Sequence, residues 1–65
     1  MKIIVNGETR ETASETLGAL LLELGHGEAK VATAVNEAFV PATARDGLRL
    51  TAGDRVEIVT PRQGG

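Results

Sequence analysis

The candidates for chemistry in this chain are few, and the best of them is not a side chain. The sequence ends in Gly64-Gly65, a backbone carboxylate carried on two residues without Cβ. Such a terminus can thread a narrow channel, adopt φ values closed to other residues and leave its carbonyl carbon open to attack. Chain ends are also often glycine-rich for solubility alone, so the pair by itself is a weak signal. The side chains offer less. There is no cysteine, which removes disulfides, thiolate metal ligands and a thiol nucleophile together. The single histidine, His26, lies between Gly25 and Gly27, just past an expected helix whose negative end suits an imidazolium. A metal or catalytic role needs a constellation of groups, and only Glu23 and Glu28 are near it in sequence. Glu8 with Glu11, and Asp54 with Glu57, are carboxylate pairs that strand geometry spreads over solvent faces. General acid–base work needs a cleft, for which a domain of this size has little room. No catalytic group and no metal site of its own is expected.

Sixty-five residues make one domain at most, with a small core that must pack efficiently. The net charge is −2, and the seven basic residues, Lys2, Arg10, Lys30, Arg45, Arg49, Arg55 and Arg62, are spread along the chain. They form no track for phosphates, and with Phe39 the sole aromatic there is no base-stacking platform. Nucleic-acid binding is not expected. The longest apolar run, residues 19–22, is far short of the roughly twenty residues that span a bilayer. The opening residues reach the turn pair Asn6-Gly7 too soon for a secretory signal, so no membrane role and a cytoplasmic location are expected.

The elements that must hold out the terminus follow from local pattern. Ile3-Ile4-Val5 before Asn6-Gly7 predicts a hairpin whose polar return strand, residues 8–12, suits a sheet edge. Period-two alternation puts Met1, Ile3 and Val5 toward a core and Ile4 on the other face. Leu17, Leu20, Leu21 and Leu24 fall at i, i+3, i+4 and i+7, one stripe of an amphipathic helix. Thr16 or Ser14 can cap its start, and Gly25 stands where a left-handed residue ends it. Residues 31–36 read as a strand whose small Ala32 and Ala34 are expected to face the helix. A short run at Phe39-Val40 is stopped by Pro41. Residues 42–52 read as irregular, anchored by Leu48 and Leu50. Asp54 is a turn residue before the last strand, where Val56 and Ile58 alternate with Glu57 and Val59. An amphipathic helix on one face of such a sheet is a two-layer α+β sandwich. Ile4, Val59 and Phe39 are then apolar residues in excess of the core, a candidate docking face.

This order resembles the ubiquitin-like β-grasp superfamily, and within it the ThiS family of thiamine-pathway sulfur carriers. The resemblance rests on Ile3-Ile4-Val5-Asn6-Gly7-Glu8, Thr16 with Leu20-Leu21, Val35-Asn36, the run from Leu50 through Gly53-Asp54 to Val59, and Gly64-Gly65. Asn36-Glu37-Ala38 stands where the family commonly has Asn-Gly. The resemblance implies a mixed four- to five-stranded sheet on one main helix. It divides the chain into a β-grasp domain over residues 1–61 and a tail over residues 62–65. It further implies a carrier rather than an enzyme, with no bound cofactor. A ubiquitin-activating-type, ThiF-like adenylyltransferase would use ATP to adenylate Gly65, and an enzyme persulfide would convert it to a thiocarboxylate. A ThiG-like thiazole synthase would receive the sulfur. Gly64, Gln63 and Arg62 would be read by partners as the tail is bound, and Ile4, Phe39 and Val59 would dock the body. The small subunit of molybdopterin synthase and ubiquitin-like protein modifiers share the fold and the diglycine end, and are the alternatives.

Overall fold

A computed structural model describes residues 1–27 and 30–60. Five strands form one sheet, in the order β2-β1-β5-β3-β4. The chain supplies β1 (Lys2–Val5), β2 (Glu8–Glu11), the helix α1 (Leu17–Glu23), β3 (Ala32–Val35), β4 (Ala38–Val40), a 3-10 helix (Ala42–Gly47) and β5 (Arg55–Val59). Two antiparallel hairpins, β1–β2 and β3–β4, flank β5, which pairs parallel with β1 and antiparallel with β3. The sheet is therefore mixed, and its last strand is its central one.

Alternation along each strand sends one set of side chains beneath α1. Ile3, Val40, Val56 and Ile58 from the sheet meet Leu17, Leu20 and Leu21 from the helix, with Leu50 closing the cluster. Burying each of these contributes on the order of 1.5–3 kcal/mol before chain entropy is subtracted. Met1, expected in this set, lies outside the buried cluster at 36% exposure, and Val5 and Leu24 are half-buried against its rim. The helix ends are satisfied locally. Thr16 Oγ1 accepts from the Ala19 N–H at 3.1 Å. Gly25, at φ 87°, lets its own N–H donate to Leu22 O and that of His26 to Leu21 O, the paired bonds of a Schellman cap. The backbone of His26 thus completes the helix.

Two expectations are corrected. Residues 42–47 form a 3-10 helix rather than irregular chain, and Arg45 explains its placement: Nη2 donates to Val31 O at 2.6 Å and Nε to Thr33 Oγ1 at 3.1 Å. Ala32 and Ala34 face away from α1, because Thr33 points inward and lies almost fully buried. A buried hydroxyl needs a partner, and Thr33 donates to Val40 O at 2.8 Å while accepting from Arg45.

The β3–β4 turn keeps the form of the first hairpin without its glycine. Asn6 and Gly7 have φ of 50° and 85°, and Asn36 and Glu37 have 51° and 72°. Left-handed values at both central residues are what a type I′ turn requires, and they strain any residue with a Cβ that lacks the local bonding of asparagine. The Glu37 carboxylate reaches Arg55 at 3.3 Å, but that exposed pair offsets little. Glu37→Gly should therefore raise stability by about 1 kcal/mol in chemical denaturation. A loss of stability would show that the ion pair outweighs the backbone strain.

The segment joining β2 to α1 is held by Glu23. Its Oε1 accepts from Thr12 Oγ1 at 2.5 Å and from Ser14 Oγ at 2.7 Å, with Arg10 at 3.8 Å from the other oxygen. The Thr12 hydroxyl first, then Ser14 and Arg10, hold this carboxyl below its ordinary value of 4.5. A depressed folded-state value favours the fold fully above the unfolded value of about 4.5, and the contribution is lost as pH falls through the folded one. Glu23→Gln should flatten the acid side of a melting-temperature profile below pH 4.5 and leave its shape at neutral pH unchanged. An unaltered acid limb would contradict this.

Candidate functional site: the outer sheet face and the base of the tail

The same alternation that buries Val56 and Ile58 turns Arg55, Glu57 and Val59 outward, onto the face opposite α1. Their lateral neighbours follow from register. Ile4 stands between Thr9 and Arg55 across β2, β1 and β5. Glu57 lies opposite Ala34, which lies opposite Phe39, and Val59 lies opposite Ala32. The two alanines set a low floor beside which Phe39, 70% exposed, and Val59, 61% exposed, stand clear. Small residues on this side have a consequence for the surface that they would not have had beneath the helix.

Ile4, Phe39 and Val59 thus share one face, but they do not form one patch. Ile4 is half-buried, and three strand spacings of about 4.8 Å with a two-residue offset of about 6.6 Å along the strands put it roughly 16 Å from Phe39. Arg55, paired with Glu37, and Glu57 lie between them. The face therefore offers an apolar step at Phe39 and Val59, a charged middle, and a second apolar point at Ile4. Arg62, Gln63, Gly64 and Gly65 lie outside the described residues, as does Pro61. The last described residue is Thr60, immediately after β5.

The side-chain candidates for chemistry are dispersed or occupied. Asp54 is a turn residue: Oδ2 accepts from the Thr51 N–H at 2.7 Å and Oδ1 from Asn36 Nδ2 at 3.0 Å. Glu8 and Glu11 are both exposed along the edge strand β2. Among the described residues no group of three His, Cys, Asp or Glu could hold a metal ion, and no helix is long and apolar enough to cross a membrane.

Sequence reasoning missed the two asparagines that grip β5. Asn6 Oδ1 accepts from the Ile58 N–H at 2.8 Å while its Nδ2 donates to Ile58 O at 3.1 Å. At the other end, Asn36 Oδ1 accepts from the Arg55 N–H at 3.0 Å, and its backbone N–H donates to Arg55 O at 2.7 Å. The signal was present as two asparagines each opening a hairpin turn. A left-handed backbone frees such a side chain to fold back, but its partner cannot be read from local sequence.

A mixed sheet of two hairpins around a central final strand, grasping one helix, defines a ubiquitin-like β-grasp domain. The geometry agrees with a solved structure, the thiamine biosynthesis protein (ThiS) from Geobacter metallireducens, at a TM-score of 0.80 and 29% identity over 100% of both chains. The ThiS family profile matches residues 3–65, and the chain belongs to that family. A curated relative from Paramagnetospirillum magneticum, named thiazole synthase, is 42% identical over 66 residues that take in 100% of this chain. The chain spans 20% of that relative's length.

Because Phe39 and Val59 are mostly in solvent, their exposure does not serve the core. Phe39→Thr and Val59→Thr, both keeping strand-compatible residues, should each change unfolding free energy by less than about 0.5 kcal/mol. A cost above about 1.5 kcal/mol would assign these side chains to stability instead.

Proposed function

We propose that this chain carries sulfur to a thiazole synthase as a thiocarboxylate on Gly65. Membership of the ThiS family through residue 65 carries this reading. The name of the Paramagnetospirillum relative favours thiazole formation over molybdopterin as the destination. The chemistry is imposed by the group itself. Charge and resonance make a carboxylate resist nucleophiles, so it must first be activated. A carboxylate oxygen attacks the α-phosphorus of ATP on a ThiF-like adenylyltransferase, releasing pyrophosphate and forming an acyl adenylate. An enzyme persulfide then attacks the acyl carbon, expelling AMP and forming an acyl disulfide. A second thiol cleaves its S–S bond, leaving –C(=O)S⁻ on the carrier and a disulfide on the donor side. On a ThiG-like synthase the sulfur passes to the acceptor, an oxygen from water or from the acceptor's carbonyl takes its place on the acyl carbon, and the carboxylate is restored.

ATP is bound by the partner, and the carrier supplies only the terminus and the means of presenting it. Gly64 keeps the approach to the acyl carbon free of a Cβ, and Arg62 and Gln63 offer polar contacts to the channel that receives the tail. The outer sheet face docks the body through Phe39, Val59 and Ile4. Its intervening Arg55 and Glu57 fix orientation more than affinity.

Intact-mass measurement tests the proposal. Incubation with the adenylyltransferase, ATP and a persulfide donor should add the mass difference between one sulfur and one oxygen at the C-terminus. Deleting Gly65 should abolish the gain and leave the unfolding midpoint within about 1 °C, since a terminal glycine beyond the sheet contributes little stability. A heavier conjugate with another protein's lysine would instead make the chain a modifier, and an unchanged mass would overturn the carrier reading.

A further inference from the structure

The backbone of β1 stops pairing with β5 before β5 ends. The Asn6 N–H donates to Val56 O at 2.9 Å, after which the chain turns away through Gly7. Ile58 is the next residue of β5 whose N–H and C=O point to this edge, and no backbone of β1 remains to meet them. The Asn6 side chain does so, at 2.8 Å and 3.1 Å. A primary amide carries the same donor and acceptor as a peptide group, so this side chain serves as one more peptide unit of β1. The other edge of β5 is held by β3, where Thr33 lies opposite Ile58 and Ala32 opposite Val59. With Asn6 in place β5 is clasped on both edges to within two residues of Thr60, the last described residue. Without it, the end of β5 is tied on one edge only and can pivot about that edge.

We propose that Asn6 is a positioning residue for activation of the terminal carboxylate. It fixes the direction in which β5 delivers the chain at Thr60, and so governs the activation step more than the docking of the body. This inference rests on the carrier function proposed above. Freedom released at the base of a tail must be frozen again each time its tip is placed for reaction. Restoring about one residue's backbone freedom costs roughly tenfold in rate. A contact at the docking face acts differently, because it is made equally before and during reaction and changes KM.

The fold supplies its own control. Asn36 occupies the same left-handed turn position and grips the opposite end of β5 at Arg55, remote from the tail. Asn6→Gly and Asn36→Gly both keep a residue suited to the turn and remove only the side-chain bonds. Activation is followed as ATP–pyrophosphate exchange on the activating enzyme with the carrier varied, at a temperature where both variants are folded by circular dichroism. Hydrogen exchange of the Ile58 amide is measured in parallel. Asn6→Gly should speed Ile58 exchange and lower kcat about tenfold with KM within about twofold of wild type. Asn36→Gly should leave both constants within about twofold, whatever its melting temperature. Should Asn6→Gly fail to fold, Asn6→Asp keeps the acceptor for the Ile58 N–H but sets an oxygen against Ile58 O, and must lower kcat in the same way. The proposal is overturned if the Asn6 variant keeps wild-type kcat, if its effect falls on KM alone, or if Asn36→Gly loses as much. A wild-type chain that supports no exchange instead refutes the carrier reading on which this role depends.

Discussion

The fold depends on seating β5 in the middle of the sheet. Val56 and Ile58 pack under Leu17, Leu20 and Leu21, while the backbone of β5 is bonded to β1 on one edge and β3 on the other. Two hairpins that are not paired with each other are joined through this strand. Because β5 comes last, the sheet is completed only when the final strand is inserted, after the helix and both hairpins are available to receive it. This pairing also joins residues distant in sequence, the slow kind of contact to close. The last strand of the described residues is thereby tied into the best-buried part of the molecule.

In the carrier reading proposed above, the body offers a surface to be recognised, and the chemistry falls to partner enzymes. The Glu23 carboxyl, held below its ordinary value by the Thr12 hydroxyl first, belongs to the β2–α1 connection, and its hydrogen bonds serve architecture. The outer face sets alanines beside the exposed Phe39 and Val59.

Much of the fold was legible in local pattern. The leucine stripe, the Thr16 cap, the Gly25 stop and the first hairpin are each decided by residues within a few positions of one another, and each stands in the structure as read. The failures share a cause. The orientation of β3 turns on Thr33, whose partners are Val40 O and a guanidinium twelve residues away. The 3-10 helix has no apolar period and is held in place by that same Arg45. The clasp of Asn6 on Ile58 spans 52 residues. For the candidate site, alternation assigned Ile4 and Val59 to one face, and Phe39 joined them only as an apolar residue in excess of the core. The charges that divide them became visible only with the register between strands. The diglycine was legible as a motif but lies outside the described residues.

The two margins of the sheet bear on what this protein does when crowded with copies of itself. Every residue of β2 is exposed and its sequence is Glu-Thr-Arg-Glu, while β4 has three residues and is followed by Pro41, which has no N–H to donate. Charge on one margin and brevity on the other both oppose the strand-to-strand stacking that open sheets invite. Margins of this kind let the protein's concentration rise without sheet edges pairing between copies.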